Sequence, residues 1–273
     1  MIDLSAYLKR VGYDGPVRTD LQTLRKVHRA HATAIPYENL DVQLKRPLTI
    51  DPRAAFDKLV KRGRGGWCYE MNGALGLALQ AIGFNVQRLS GDGTGPHSHL
   101  TLNVDVDGAM YVCDVGTADG PGDPYRLVAG SFIDDGFEFR VEIAGNTGWR
   151  LHNHRFGLTP GFTATGPNEP GMEATCQWLQ SAPQSPFVRH ATVCRRTLTG
   201  YISLIDRTLR NVTPEGVTRE TVDSADEYVT TLMSHFDLDL PEAASLWPVL
   251  CERHETYLRE AAARRTAKAV AIG

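Results

Sequence analysis

The sequence has no C-x-x-C pair, no basic excess and no apolar run of membrane-spanning length. Its five cysteines, Cys68, Cys113, Cys176, Cys194 and Cys251, are scattered and odd in number. That argues against a zinc site or a disulfide framework and for a reducing compartment. A formal net charge of −3 provides no electrostatic footprint for nucleic acid. The opening Met1-Ile2-Asp3-Leu4 lacks a basic region followed by an apolar one, so no leader and no membrane partner are expected, and the expected location is cytoplasmic. Neither an internal repeat nor a low-complexity block is found. What is present, 273 residues of which 42% are hydrophobic and 22% charged, is an ordinary globular composition with enough chain to bury a large core in one domain or two, with room for a small third lobe.

The first third reads as helical. Leu4, Tyr7, Leu8 and Val11 recur at helical spacing up to Gly12. Thr19 and Gln22 form the pattern of a capping box ahead of Leu21, Leu24 and Val27. Pro36 interrupts that helix. Asp51-Pro52 then pairs an N-cap with proline at the first helical position, opening a helix through Phe56, Leu59 and Val60 to Gly63. A further helix carries Met71, Leu75, Leu79 and Ile82 on one face and ends at Gly83.

Beyond Gly83 the period changes to two. Residues 99–106 and 109–115 are apolar-alternating runs separated by Asp107-Gly108, a strong hairpin signal. With those two residues as the turn, Val106 faces Ala109 and, counting outward, Thr101 faces Asp114. His99 and Asp114 then lie on one face as diagonal neighbours, roughly 7–8 Å apart at the backbone, a gap their side chains can close. A slip of one residue would separate them. Residues 137–143 alternate ahead of a turn at Asn146-Thr147-Gly148, and 159–186 reads as a long surface connection. Strand-like runs return at 187–198 and 201–209. Two amphipathic helices, Ala225–Phe236 and 241 to about 263, follow, and the small basic end, 264–273, is expected to fray.

The chemistry gathers at Arg64-Gly65-Gly66-Trp67-Cys68-Tyr69-Glu70-Met71-Asn72. Cys68 falls in or just before the first turn of a helix, where unpaired N–H groups and the helix dipole favour a thiolate, the nucleophilic form. The glycine pair permits a sharp turn that could leave the Cys68 N–H free as an oxyanion donor. A lone cysteine is commonly just a small buried hydrophobe. Here a base and an orienting carboxylate, His99 and Asp114, stand at workable spacing, and together they form a candidate triad of nucleophile, general base and orienter. His97 competes with His99 but sits beside Pro96 and a glycine-rich loop. A His97/His99 metal pair finds no supporting cysteine or glutamate pattern, so no metal is expected.

These residues, with Ile35-Pro36-Tyr37-Glu38-Asn39-Leu40, His99-Leu100-Thr101-Leu102 and Cys113-Asp114-Val115-Gly116 in the same order, resemble the arylamine N-acetyltransferase family across nearly the whole chain. The resemblance implies an α+β fold in three parts with a cysteine-protease-like core. A helical bundle over 1–83 would carry the cysteine, a central antiparallel β-barrel-like domain over 84–186 the histidine and aspartate, and an α/β lid would span 187–273. It implies ping-pong transfer from acetyl-CoA, through a thioester on Cys68, to an arylamine, arylhydrazine or N-hydroxyarylamine, with catalytic residues Cys68, His99 and Asp114. Glu38 and Arg64 match a structural ion pair, and Tyr37, Trp67 and Thr117 are the expected substrate-binding residues. No metal or prosthetic group is implied, CoA and a small amine are the partners, and a homo-oligomer stays open.

The chain departs from the family pattern at Thr117-Ala118-Asp119, where an aromatic residue usually follows D-V-G, which widens the acceptor pocket and makes it more polar. Tyr37 stands where phenylalanine is common, and the loop between Cys68 and His99 looks shortened. The same triad serves amide synthases that take a longer acyl chain from a carrier protein. It also serves thiol hydrolases, in which water is the acceptor, and a non-catalytic scaffold would carry an inert thiol.

Overall fold

The computed structural model describes residues 2–145 and 148–260 in full and the backbone onward to 270. The expected turn at Asn146-Thr147-Gly148 falls, in its first two residues, outside the described residues. Helices α1 (Leu4–Val11), α2 (Leu21–Ala34), α3 (Leu40–Gln43), α4 (Pro52–Phe56) and α5 (Cys68–Ile82) make up the N-terminal part, with a two-residue strand β1 (Tyr37–Glu38) between α2 and α3. Asp51 caps α4 as expected, and the helix runs on as a π turn, Asp57–Lys61. The cap of α2 is Asp20, whose carboxylate accepts the Thr23 N–H at 2.8 Å, in place of the expected Thr19 box. A carboxylate also meets the positive end of the helix, which a hydroxyl does less well.

The central sheet is antiparallel. It comprises β2 (Asn85–Asp92), β3 (His99–Val106), β4 (Ala109–Cys113), β5 (Tyr125–Arg126), β6 (Gly130–Asp134), β7 (Phe137–Ala144), β8 (Gly148–His152) and β9 (Gly161–Gly166). The strands lie in the order β5-β4-β3-β2-β9-β8-β7-β6. The β3–β4 hairpin has the expected register, Val106 opposite Ala109 and Leu102 opposite Cys113. Tyr125 on β5 stacks on Phe132 on β6 with ring centroids 5.1 Å apart, so the two edges curl toward each other into a partial barrel. The stretch 159–186, expected as a connection, instead supplies β9 and helix α6 (Glu169–Ser181), whose Met172, Cys176 and Leu179 are buried. Its glycines and prolines sit at the ends of these elements, where they start and stop structure rather than prevent it.

A short α7 (Pro186–Arg189) leads to a second antiparallel sheet in the order β1-β10-β11-β12-β13, with β10 (Thr192–Arg196), β11 (Tyr201–Ile205), β12 (Thr208–Thr213) and β13 (Gly216–Thr221). Strand β1 joins this sheet by pairing Tyr37 with Cys194. Helix α8 (Ala225–Phe236) matches expectation and buries Tyr228, Leu232 and Phe236 against it. The last expected helix is two elements, a 3₁₀ turn Pro241–Leu246 and α9 (Trp247–Val270), which continues through most of the segment expected to fray. Among the described residues, no helix is long and apolar enough to cross a membrane. The fold is α+β, and α5 sits at its centre, with Met71, Ala74, Leu75, Ala78 and Leu79 packed among α1, α2, α4 and β3.

Two polar devices hold α5 in place. Beneath its first turn lies a buried charge cluster. Lys58 reaches Asp41 at 2.8 Å and Glu70 at 2.9 Å, and Arg64 reaches Glu38 at 2.6 Å and Asp41 at 3.1 Å. Burial alone would lower the Lys58 value, but the carboxylates of Glu38, Glu70 and Asp41 hold it above that of an ordinary lysine. Glu70 is pushed up to about 7 by burial, against the opposing pull of a Lys58 that it shares with two other carboxylates.

The second device is His28 on α2. Its Nε2 accepts the Asp114 N–H at 3.0 Å, and Nδ1 donates to the Gly122 carbonyl at 2.9 Å, a pattern that requires the neutral ring. Burial pulls His28 down to about 4, and His31 nearby, hydrogen-bonded to the Tyr7 hydroxyl, down to about 3.

Replacing Lys58 with Met should leave three buried carboxylates facing Arg64 alone and cost about 3–5 kcal/mol in urea unfolding; a loss below 1 kcal/mol would show that the cluster is not structural. For His28 the sign follows from its lowered value. The unfolded chain protonates near the ordinary histidine value of about 6.5 while the folded ring stays neutral, so the unfolded state holds more protons and stability falls as pH drops from about 6.5 toward 4. Thermal melts across that window should show this slope, and His28→Gln should make it shallower. An unchanged slope would remove His28 from the account.

Candidate active site

Cys68 is the first residue of α5, so its N–H belongs to the turn whose donors have no carbonyl within the helix. The sequence bends sharply into this position because Gly65 and Gly66 lie against β1. The Glu38 N–H donates to the Gly66 carbonyl at 2.9 Å, and a side chain on Gly65 would run into the Pro36 carbonyl oxygen. The Ile35–Leu40 motif and the glycine pair are thus two halves of one contact, with the Arg64–Glu38 ion pair beside it. Trp67 is the N-cap residue, and its N–H is satisfied by the Glu70 carboxylate, which accepts it at 3.3 Å.

The thiol is 2% exposed, and its Sγ lies 3.6 Å from the Ser98 carbonyl. His99 opens β3, and its Nε2 sits 2.6 Å from Asp114 Oδ2. Cys68 interacts electrostatically with the same ring and, with Asp114, favours its charged form. Burial disfavours the imidazolium, yet the Asp114 carboxylate and the Cys68 contact outweigh it and push His99 up to about 10. Burial likewise works against the Asp114 anion, but His99, the Asn72 amide and the Gly116 N–H hold it below the usual carboxylate range. Asp114 Oδ1 accepts from Asn72 at 2.8 Å and from the Gly116 N–H at 2.9 Å. Gly116 also passes so close to the helix start that a Cβ there would lie 2.8 Å from Cys68 Cα.

Asn72, His28 and Phe162 escaped the sequence reading as site residues. Asn72 had a signal, since it lies one helical turn beyond Cys68 on the same face. It also donates to the Leu100 carbonyl at 2.6 Å and accepts the Val115 N–H at 2.9 Å, pinning both strands of the hairpin to α5. His28 had none, because its partner is a backbone amide 86 residues away. Phe162, on β9 within the stretch expected as a connection, packs on the His99 ring at 4.3 Å between centroids.

A cavity of about 290 Å³ opens beside Gly116, lined among others by Tyr37, Thr117, Ala118, Leu158 and Phe187. Two of the expected substrate contacts, Tyr37 and Thr117, are in its wall. Trp67 is not: its ring is fully enclosed, edge-on to Tyr69 and to Phe187 at 5.4 Å each, and belongs to the core. His97 is a loop residue held by Ser90 at 2.8 Å and Asn168 at 3.2 Å. Among the described residues no cluster of three or more histidine, cysteine, aspartate or glutamate side chains could hold a metal ion.

The N-acetyltransferase family model matches residues 20–245 of the chain. The arylamine N-acetyltransferase of Mycolicibacterium smegmatis is 36% identical over 260 residues, which cover 89% of this chain and 94% of the relative. Among solved structures, the arylamine N-acetyltransferase of Salmonella typhimurium superposes with a TM-score of 0.82 at 27% identity, over 91% of this chain and 98% of that one. The Mycobacterium marinum enzyme in complex with CoA gives 0.81 at 28% identity, over 88% and 94%. With motifs, fold and relatives in agreement along nearly its full length, the chain belongs to the arylamine N-acetyltransferase family of acyl-transferring enzymes.

Proposed function

We propose that the protein acetylates the nitrogen of an arylamine, arylhydrazine or N-hydroxyarylamine from acetyl-CoA by a ping-pong route through Cys68. The observation that carries this reading is the buried 2.6 Å pairing of His99 with Asp114 beside the start of α5, where Cys68 lies against the residues flanking both, Ser98 and Gly116. The thiol proton passes to His99, and the imidazolium faces a carboxylate that stabilises it. The Cys68 sulfur attacks the acetyl carbonyl carbon, and the carbonyl oxygen takes the negative charge where the Cys68 N–H can donate to it. As the intermediate collapses, the bond to the CoA sulfur breaks and His99 returns its proton to that sulfur. The amine then attacks the Cys68 thioester and gives its proton to His99. The carbon–sulfur bond to Cys68 breaks, and the amide leaves.

Tyr37 and Thr117 stand in the wall of the cavity that would receive the amine. Its size suits an acetyl group and a single ring better than the long acyl chain of a carrier-protein amide synthase, and its apolar lining disfavours water as the acceptor. All five cysteines are free thiols, which suits a nucleophilic cysteine working in the reducing cytoplasm.

Intact-protein mass spectrometry after incubation with acetyl-CoA and no amine should show one acetyl adduct on the wild type and none on Cys68→Ala, discharged by added arylamine and not by water. No adduct on a rapidly alkylated Cys68 would reject acetyl-CoA as the donor. Asp114→Asn should lower kcat/KM by at least about a hundredfold by misorienting His99, and near-normal turnover by that variant would sink the triad.

A further inference from the structure

A histidine–carboxylate pair other than His99–Asp114 stands on the cavity beside Gly116. His190, just after α7, lines it together with Tyr37, Leu158, Phe187 and Ile205. Its Nδ1 lies 2.7 Å from Asp206 Oδ2. Asp206 is itself built in: Oδ1 accepts the Ala191 N–H at 3.0 Å and faces Arg253 at 3.4 Å, and the side chain is 11% exposed. Arg253 is anchored in turn to Gln43 at 2.9 Å and the Val188 carbonyl at 2.9 Å. The His190 carbonyl accepts from Asn39 at 2.8 Å and Gln43 at 3.0 Å, so backbone and ring are both held.

An ionised carboxylate only accepts hydrogen bonds, so the His190 nitrogen facing Asp206 carries the proton. In the neutral ring, the form able to accept, Nε2 is then left with a lone pair. The other titratable groups lining the cavity are Tyr37, Asp119 and Cys194, and no lysine or arginine lines it. Asp119 is already engaged by Asn153 at 2.7 Å and the Leu158 N–H at 2.6 Å. An anionic substituent would meet Asp119 without a fixed cation to offset it. A hydrogen-bond donor, in contrast, finds an oriented acceptor in walls that are otherwise mostly apolar.

From this arrangement we infer that His190, oriented by Asp206, is a specificity-determining residue that accepts a hydrogen bond from a ring hydroxyl of the acceptor, which selects hydroxylated single-ring aromatic amines. This rests on the acetyltransferase reading above. The His190 side chain is 49% exposed and meets water in the free enzyme; an amine bound over it shuts that water off, so an analogue without the hydroxyl leaves Nε2 unpaired and is disfavoured.

The matched pair 4-aminophenol and 4-methoxyaniline tests the inference: their ring electronics are similar, and only the first carries the donor. Wild type should prefer 4-aminophenol in kcat/KM. His190→Leu should reduce that preference at least tenfold, chiefly through KM for 4-aminophenol, whereas His190→Gln, which offers an amide oxygen, should keep part of it. Cys68 acetylation by acetyl-CoA alone, followed by mass in parallel, locates the loss in the amine step. No preference in wild type, an unchanged preference in His190→Leu, or an equal loss for both amines overturns the inference. A loss of Cys68 acetylation in the variants would put His190 on the donor side and overturn it too. Failure of wild-type Cys68 to take an acetyl group is a distinct result, which rejects the acetyltransferase reading itself.

Discussion

The Asp114 carboxylate is the constraint on which the site depends. An anion with a side chain 1% exposed persists only if every face of it is answered. Here His99 answers one oxygen and Asn72 with the Gly116 N–H the other, while His28 holds the backbone of the same residue. Those partners come from β3, α5 and α2, so satisfying one buried charge locks the hairpin to the central helix and to the helical bundle at once. The same lock brings Cys68 at the start of α5 against Ser98 and Gly116, which flank His99 and Asp114.

The cluster of Glu38, Asp41, Lys58, Arg64 and Glu70 does the same for the other side of the α5 start. Its members sit on β1, α3, the π turn after α4, the glycine turn and α5. Such a cluster is a poor source of net stability compared with an apolar core, but it penalises any arrangement that leaves one charge unpaired. It thereby specifies the geometry of the turn that carries the cysteine. Through β1 this turn is also tied to the second sheet, since Tyr37 pairs with Cys194 while its ring lines the cavity. Arg196 at the end of β10 completes the tie from the far side. It bonds the Gly120 carbonyl, Asp134 and Asp135, and so fixes the loop that leads away from Asp114.

Local signals were read well where they act locally. The Asp107-Gly108 turn set the register that brings His99 and Asp114 together, because a two-residue hairpin leaves no freedom in the count. Asp51-Pro52 marks where α4 starts, and the Tyr228, Leu232, Phe236 stripe marks a helix that forms with the expected bounds. The stretch 159–186 differs from expectation, because glycine and proline at the borders of β9 and α6 mask a strand that pairs with the preceding β8 and with β2, far back in the chain. Trp67, expected as a substrate contact, has its ring closed in by Tyr69 and Phe187.

By itself, the sequence determined the family, the order of the elements around the motif, and the three residues that could form a triad, since each depends on spacing along a helix or across one tight turn. Only the tertiary structure decided that His28 and Asn72 secure Asp114, that five charges share one buried cluster, and that His190 faces the same cavity as Tyr37. The physical reason is common to all of these. They are contacts between residues remote in the chain, set by how helices and two sheets pack, and no local periodicity encodes which buried polar group will answer which.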